Sequence, residues 1–582
     1  MLIHVSSLLE IYNEIVKNSQ YGTVSVLVFV PYTVDSLAAR SILFELFLQD
    51  DVLTHYIFVK GYEDLENNIM KRIEEETLPP SIIFLNCGGS ISLIRKFPSA
   101  FENSKAYVID SHRPIHLDNL DSRVNQVLVL DDSQSIFSSL GDIPNSSKDI
   151  DECIIVQGFQ KLKDGSLKQI EKRIDPEAEE AKQYLKKAYF SDPASIQVYS
   201  LASIIRTTST QSLWFSILGL TEHFILEHID NYRYESLFEI ISNEASRLSG
   251  HEKMFTTIIE GDGTETIRPE SGIQVRVFQD YSIAPSNEIR CPMLKHWTLY
   301  ESIHSSSFVA SRLKLWYKRG YDNLLTLLAK IGVPLKDANT AYHIMNTELR
   351  DSLVERFDQQ CDKFGLKGII FPSFILRHGF EPELGAADVV LALRSRLNIR
   401  DSTTNESFSS MRILENSQLL YEGIESAKKR SKMVITCGIE IMSRRVASII
   451  NAGYFRLTTI RNAQEKNIPI DTSFLIDLGQ FLIQSMREEL QSKETDTLPI
   501  IVAALDQKTD IFTVVALSTG FEFGEVESSR FGALFSVAAK RAEVPIVMDS
   551  FDSFVCQVPN DHFPSFIDNL THLAFVEAQE YE

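Results

Sequence analysis

Four short polar segments hold the residues able to do chemistry. Three of them, Thr33-Val34-Asp35, Asn86-Cys87-Gly88 and Asp110-Ser111-His112-Arg113-Pro114, each end an apolar run; the fourth, Gly219-Leu220-Thr221-Glu222, lies further along. Carboxylates converging with a histidine suit hard divalent cations and phosphate chemistry. The runs in question are Val24–Val30, Ser81–Leu85 and Lys105–Ile109, all reading as buried strands. Ligands of an open parallel sheet collect outside the carboxyl ends of its strands, so the three corners are expected to meet in one crevice. A helix cap explains an aspartate at such a corner equally well. Caps do not explain Asn86 and His112.

The elements that must position these corners alternate at short intervals. Tyr56–Val59 and Gln126–Leu130 add two more strands, and helices are expected over Asp35–Gln49 and Glu63–Glu76. Asp35 falls where an N-cap would accept from the helix's orphan N–H groups. Such βαβ alternation predicts a doubly wound parallel sheet. Residues 131–152 are rich in Ser and Asp and read as an exposed linker. A charged helix over Ser166–Tyr189, broken near Pro176, follows, then apolar helices over 195–243 and a helical stretch over 290–365. Within that stretch Val354, Phe357, Cys361 and Phe364 share a face, and Gly365 stands at a C-terminal cap position. Residues 398–412 read as a polar loop. Strands return at Ile500–Leu505 and Phe512–Leu517, ahead of a final amphipathic helix with Phe531, Leu534, Phe535 and Ala538 on one face. The parsing is an α/β domain, a helical middle and a smaller α/β tail.

Bulk composition narrows the function classes. The 582 residues suggest two to four domains, and 44% hydrophobic with 23% charged residues is ordinary for a globular chain. The net charge of -22 repels nucleic-acid backbone on average, so DNA binding would need a local basic groove. Six scattered cysteines without a Cys-x-x-Cys pair argue against a zinc ribbon or disulfide framework and for a reducing compartment. No apolar run approaches the roughly 18 residues of a membrane span, and no signal peptide is evident. The expectation is a soluble intracellular protein with no membrane partner.

Other constellations are weaker. His223, Glu227 and His228 differ by one residue from an inverted zinc-protease signature, and histidines five apart are expected to lie off a common helical face. Asn86-Cys87-Gly88-Gly89-Ser90 lacks the Gly-Lys-Ser/Thr of a phosphate loop. Lys428-Lys429-Arg430-Ser431-Lys432 reads as the solvated face of a helix, with nuclear localisation as the alternative. Arg312, Lys314, Lys318 and Arg319 surround Trp316 and are candidates for single-stranded DNA, although Leu315 and Trp316 fit a core or partner surface better.

The runs Val30-Pro31-Tyr32-Thr33-Val34-Asp35-Ser36-Leu37-Ala38-Ala39, Phe84-Leu85-Asn86-Cys87-Gly88-Gly89 and Ile109-Asp110-Ser111-His112-Arg113-Pro114 resemble the motifs of the DHH phosphoesterase superfamily. The form is that of its RecJ-like, inactive eukaryotic replication-factor branch. His296-Trp297-Thr298-Leu299-Tyr300-Glu301-Ser302, Arg312-Leu313-Lys314-Leu315-Trp316, His378-Gly379-Phe380, Ala387-Asp388-Val389-Val390 and Trp214-Phe215-Ser216-Ile217-Leu218-Gly219-Leu220-Thr221 extend the likeness. It runs from about residue 24 to the helix near residue 540. It implies a DHH-like α/β domain over 1–225, a helical interdomain region over 226–395 and a smaller DHH-associated α/β domain over 396–582.

Active members of the superfamily hold two divalent ions with histidine and aspartate ligands. At the first corner this chain keeps Asp35 but carries Thr33 for the second aspartate, and it lacks the preceding histidine. Asn86 replaces the bridging carboxylate. Asp110 and His112 remain at the third corner with Ser111 between them, and Glu222 takes the fourth position with a longer reach. Two cations about 3.5–4 Å apart repel strongly and need a bridging anion, which an amide does not supply. The remnant site is therefore Asp35, Asn86, Asp110, His112 and Glu222, with no catalytic residue, metal or cofactor expected; at most one Mg²⁺ would suit Asp35, Asp110 and water.

The resemblance implies a nuclear, non-enzymatic factor that joins the MCM ring and the GINS complex in the replicative helicase. Single-stranded DNA would be a secondary partner. The rival reading is an active RecJ-like exonuclease or phosphodiesterase with non-standard metal binding.

Overall fold

The computed structural model describes residues 2–3, 7–19, 26–121, 123, 125–130, 159–161, 167–169, 184–252, 255–259, 265–269, 281–378, 383–397, 417–464, 468–490, 498–518, 520 and 524–579. The chain divides into two compact units, residues 1–31, 47–197 and 527–582 in one and residues 32–46 and 198–526 in the other. The expected linker at 131–152, the loop at 398–412 and most of the helix predicted over Ser166–Tyr189 lie outside the described residues. Within that last segment, Leu167–Gln169 is a strand paired with Phe159–Lys161, where the helix expectation fails, whereas residues 184–186 are helical and Tyr189 opens a short strand.

The first unit is built on a six-stranded sheet. Its spatial order is Leu2–Ile3, Val127–Leu130, Lys105–Ile109, Ser81–Leu85, Val26–Pro31, Thr54–Val59, and all its pairings are parallel. Val26–Pro31 and Ser81–Leu85 are buried along their whole length, which is why those runs are apolar without alternation. Phe29 and Phe84 stack between them with ring centroids 5.3 Å apart. Leaving Val26–Pro31, the chain first adds Thr54–Val59 on one side and then crosses to add Ser81–Leu85 on the other. Strand order thus reverses between two neighbouring strands, the kind of place where such sheets hold ligands.

The C-terminal stretch of this unit holds helix Phe531–Ala542, whose Phe531, Leu534, Phe535 and Ala538 are buried as their spacing predicts. It is not the last element: strand Val555–Pro559 and helix Phe563–Gln579 follow. Pro564 obscured that helix, yet it sits in the first turn, where a missing N–H costs nothing.

The second unit is mixed. Helices Ala386–Arg396, Ser417–Ser443 and Thr472–Leu490 pack together, and the last also lies on strands Ile500–Asp506 and Ile511–Leu517. The middle is helical where expected, and Gly365 caps with φ 69°. It also contains two nine-residue strands that periodicity missed, Tyr281–Ile289 and Ile370–His378, paired antiparallel. Each contains a proline, Pro285 or Pro372, the residue that argues against a strand in a sequence. Among the described residues no helix is long and apolar enough to cross a membrane, and Cys87, Cys291, Cys361, Cys437 and Cys556 are free thiols.

The run Lys428–Lys432 is not simply a solvated face. Lys429 is exposed, but Arg430 turns inward to Asp477 (2.9 Å) and Asp471 (3.3 Å), and Lys432 reaches Glu301 (3.1 Å). One basic residue in that run therefore anchors two helices.

Candidate functional site

In the first unit the site is built on the turns after Ser81–Leu85 and Lys105–Ile109. Asn86 takes a left-handed backbone (φ 47°), a conformation asparagine tolerates better than most residues. Its Oδ1 accepts the Ser111 N–H at 2.9 Å, so the amide ties one strand end to the next. Gly89 donates its N–H to Asp110 Oδ2 at 3.0 Å. A Cβ on Gly89 would lie 2.6 Å from that same oxygen, so the close approach requires glycine. Asp110 Oδ1 accepts from the His112 N–H (2.9 Å) and meets His112 Nδ1 (2.7 Å), while Arg113 donates to the Asp110 carbonyl (2.7 Å).

A segment more than four hundred residues away completes this corner. Asp552 places a carboxylate oxygen 3.4 Å from His112 Nε2, so the imidazole bridges two acids. One and three residues earlier, Phe551 packs edge-on against Tyr62 (4.9 Å), and Asp549 accepts the Tyr62 N–H on its carbonyl (2.9 Å) and the Glu63 N–H on its carboxylate (2.6 Å). Asp549 thereby caps helix Tyr62–Glu74, whose own N-cap, Gly61, has no side chain to do so. Nothing local marked Asp549 or Asp552 in the sequence.

Electrostatics follow from this packing. Burial pushes the His112 pKa down, but the Asp110 and Asp552 carboxylates outweigh it and lift it to about 10, so the ring is an imidazolium at neutral pH. Burial pushes Asp110 up, and the His112 charge and hydrogen bonds, helped by Arg113, outweigh it and hold the carboxyl below its usual range. Cys87 is driven well above an ordinary thiol by burial and by Asp110, which makes it inert.

The second unit holds Asp35 and Glu222. Helix Val34–Gln49 begins one residue before Asp35, so Asp35 is not its cap. That part falls to Thr33, whose Oγ1 accepts the Ser36 N–H at 3.2 Å. Glu222, on helix Thr210–Ile225, supplies the rest: Oε1 accepts the Val34 N–H (3.2 Å) and Oε2 the Asp35 N–H (2.7 Å). Burial raises its pKa against the opposing pull of Arg394 and those N–H bonds. The Asp35 carboxylate instead faces His223 Nε2 at 3.5 Å.

The sequence offers His223 only as part of a zinc-protease-like triplet, and its place beside Asp35 carries no local signal. The His223 ring also meets His228 edge to face, 5.3 Å away, contrary to the expectation for histidines five apart. The helix has ended by then, and left-handed Glu227 (φ 56°) folds the chain back.

Within each unit these side chains are engaged by the protein itself. Both oxygens of Asp110 accept hydrogen bonds, Asn86 offers one neutral oxygen already engaged with Ser111, and Glu222 uses both oxygens on backbone N–H groups. Among the described residues no group of three or more His, Cys, Asp or Glu side chains is placed to share an ion.

Of the candidate DNA-binding residues, Lys318 and Arg319 are exposed in the first turn of helix Lys318–Lys330. Arg312 lies over the Phe308 ring (3.6 Å), and Lys314 pairs with Glu489 (3.7 Å).

Comparison with known proteins agrees with this architecture. Residues 26–152, 157–412 and 400–573 match the CDC45 family. A cell division control protein 45 homolog of Dictyostelium discoideum is 26% identical, over 96% of this chain and 97% of the relative. One of Homo sapiens is 24% identical, over 94% and 96% respectively. The crystal structure of CDC45 from Entamoeba histolytica superimposes with a TM-score of 0.70 at 19% identity, covering 99% of this chain and 100% of that one, which shows a shared fold.

Proposed function

The chain belongs to the CDC45 family, and on that premise we propose that it is a non-catalytic DNA-replication factor that assembles with the MCM ring and the GINS complex into the active replicative helicase. The observation that carries the non-catalytic part is the Asp110–His112–Asp552 bridge beside the Asn86 amide. A protonated histidine held between two carboxylates supplies the positive charge that a metal would bring in a phosphoesterase, and it activates no water. The names of the relatives, cell division control protein 45 homologs, support the cell-division part.

On this reading the protein works in the nucleus as a rigid surface. The DHH-like scaffold spans 1–225, partner contacts concentrate in 226–395, and 396–582 forms the DHH-associated domain. The net charge of -22 favours docking on protein over docking on DNA. Weak single-stranded DNA binding would fall to exposed Lys318 and Arg319 beside exposed Tyr317.

The test is reconstitution. The purified protein should co-elute with MCM and GINS subunits in size-exclusion chromatography and show no Mn²⁺- or Mg²⁺-dependent degradation of single-stranded DNA. Metal-dependent turnover that vanishes in Asp110→Ala would establish the nuclease reading instead.

A further inference from the structure

Apart from the remnant site, the second unit contains a cavity of about 260 Å³ among strand Tyr281–Ile289, helix Ala386–Arg396 and helix Thr472–Leu490. Its wall is mostly apolar, with Leu294, Leu391 and Val434 in it, and exposed Asn287 on its rim opens it to solvent. The wall also carries charged side chains from several segments, and with their immediate partners these sum to one acid in excess.

Most of the charges match in groups. Arg394 holds Asp477 at 3.0 Å, and Arg430 holds both Asp477 (2.9 Å) and Asp471 (3.3 Å), so two cations meet two acids. Glu227 accepts from Gln484 Nε2 at 2.8 Å, and its charge and that of Arg290 offset each other. Glu288, Asp388 and Lys295 remain. His296, whose Nε2 lies 3.9 Å from Asp388, adds no charge at neutral pH because burial lowers its pKa. Lys428, the other cation near Asp388, is bonded to Glu425 at 2.7 Å. Two acids are therefore left with the single charge of Lys295.

Of these two acids, Asp388 is the more engaged: its Oδ1 accepts the Met293 N–H (2.9 Å) and its Oδ2 faces His296. Glu288 lines the cavity with Lys295 Nζ 3.9 Å away, beyond hydrogen-bond reach. The charged or titratable groups facing it are Asp388, Lys295 and Tyr234, and burial pushes the Tyr234 pKa up, so that phenol stays neutral. Burial, reinforced by Asp388, lifts Glu288 to about 7, so near neutral pH a proton supplies the missing positive charge. A cation seated against Glu288 would supply it instead.

We propose that this cavity is a binding site for a small primary ammonium ion with an apolar or aromatic body, its ammonium on Glu288 and its body against Leu294, Leu391 and Val434. Size sets the scale of the ligand. At a water's share of about 30 Å³, the space takes roughly nine heavy atoms. The ammonium must sit at the Glu288 end, where the local charges sum to a negative value; elsewhere on the wall Arg290, Arg394 and Arg430 oppose it. Binding releases the Glu288 proton to solvent, so it should tighten as pH rises.

Phenethylamine, with nine heavy atoms, is the probe, and 2-phenylethanol is its neutral isostere. Binding is read by saturation-transfer NMR on the full chain. The expected result is saturable phenethylamine binding at pH 8 with a Kd of roughly 1 mM, and the alcohol at least tenfold weaker. From pH 6 to pH 8 the amine should gain about tenfold in affinity while the alcohol stays constant. Glu288→Gln should weaken the amine tenfold or more and leave the alcohol unchanged. Ala387→Phe, which grows a side chain into the cavity without altering charge, should abolish both. Equal affinity for amine and alcohol, no saturable amine binding, or amine affinity indifferent to pH overturns the proposal, as does full amine affinity in either variant. If Ala387→Phe fails to fold, the amine–alcohol comparison on the unaltered chain and Glu288→Gln decide the matter.

Discussion

Placing an acid at residue 86 tests the electrostatic reading of this corner. Asn86 is 2% exposed, and its Oδ1 accepts the Ser111 N–H at 2.9 Å. Asn86→Asp keeps the shape, so packing and the left-handed backbone survive and only charge changes. With the His112 charge already shared by Asp110 and Asp552, burial raises the pKa of a further carboxylate by up to about 3–5 units, at about 1.4 kcal/mol each. The strengthened bond from Ser111 returns about 1–2 kcal/mol. The net destabilisation is then about 2–4 kcal/mol at pH 7.5.

The sign with pH is definite. An acid whose folded pKa is raised costs nothing while protonated in both states, and the cost grows as pH climbs above the unfolded value near 3.9. Urea unfolding followed by circular dichroism should show variant and parent close together near pH 4 and well apart at pH 7.5. Adding 1 mM MnCl₂ should recover none of the loss, whereas an ion bound with a Kd of 10 µM would return about 2.7 kcal/mol. Recovery by Mn²⁺, or a variant more stable than the parent at pH 7.5, would refute the argument that too few anionic donors remain.

Two further outcomes concern the second unit. Asp477→Ala removes the acid shared by Arg394 and Arg430 and should cost about 2–4 kcal/mol, toward the lower end for buried pairs because the carboxylate is 20% exposed; urea midpoints at pH 7 check this, and a loss under about 1 kcal/mol contradicts it. Burial raises Asp477 but Arg394 and Arg430 outweigh it and hold its pKa down, so the wild-type advantage should vanish as acidification protonates the carboxyl. Burial, reinforced by Asp388, lifts Glu288 to about 7. A raised folded pKa means stability is lost as pH rises from the unfolded value toward 7, so Glu288→Gln should match the parent near pH 4.5 and exceed it at pH 8 by on the order of 2–3 kcal/mol. An equal offset at both pH values in thermal unfolding would sink that assignment.

How far the chain was legible depends on how local each signal was. The strands Ser81–Leu85 and Lys105–Ile109 end where their apolar runs end, because a strand buried on both faces needs apolar residues throughout. The neutral amide of Asn86, where the resemblance implies a bridging carboxylate, was equally plain, since charge is a property of the residue type wherever the side chain points. Prolines at 285 and 372 hid a strand pair because propensity speaks against them, while the ladder tolerates each where its missing donor is not needed.

Other features existed only in three dimensions. Residue types showed that Asp35, Asp110, His112 and Glu222 were present, and nothing in their spacing showed what each would touch. Folding spends Glu222 on two helix N–H groups, turns Asp35 toward His223 and brings Asp552 onto His112 across more than four hundred residues. Composition and periodicity are properties of neighbours along a chain, so they govern elements and charge. Partners of a buried polar group are selected by whichever distant segment fills the space beside it, and that choice belongs to packing.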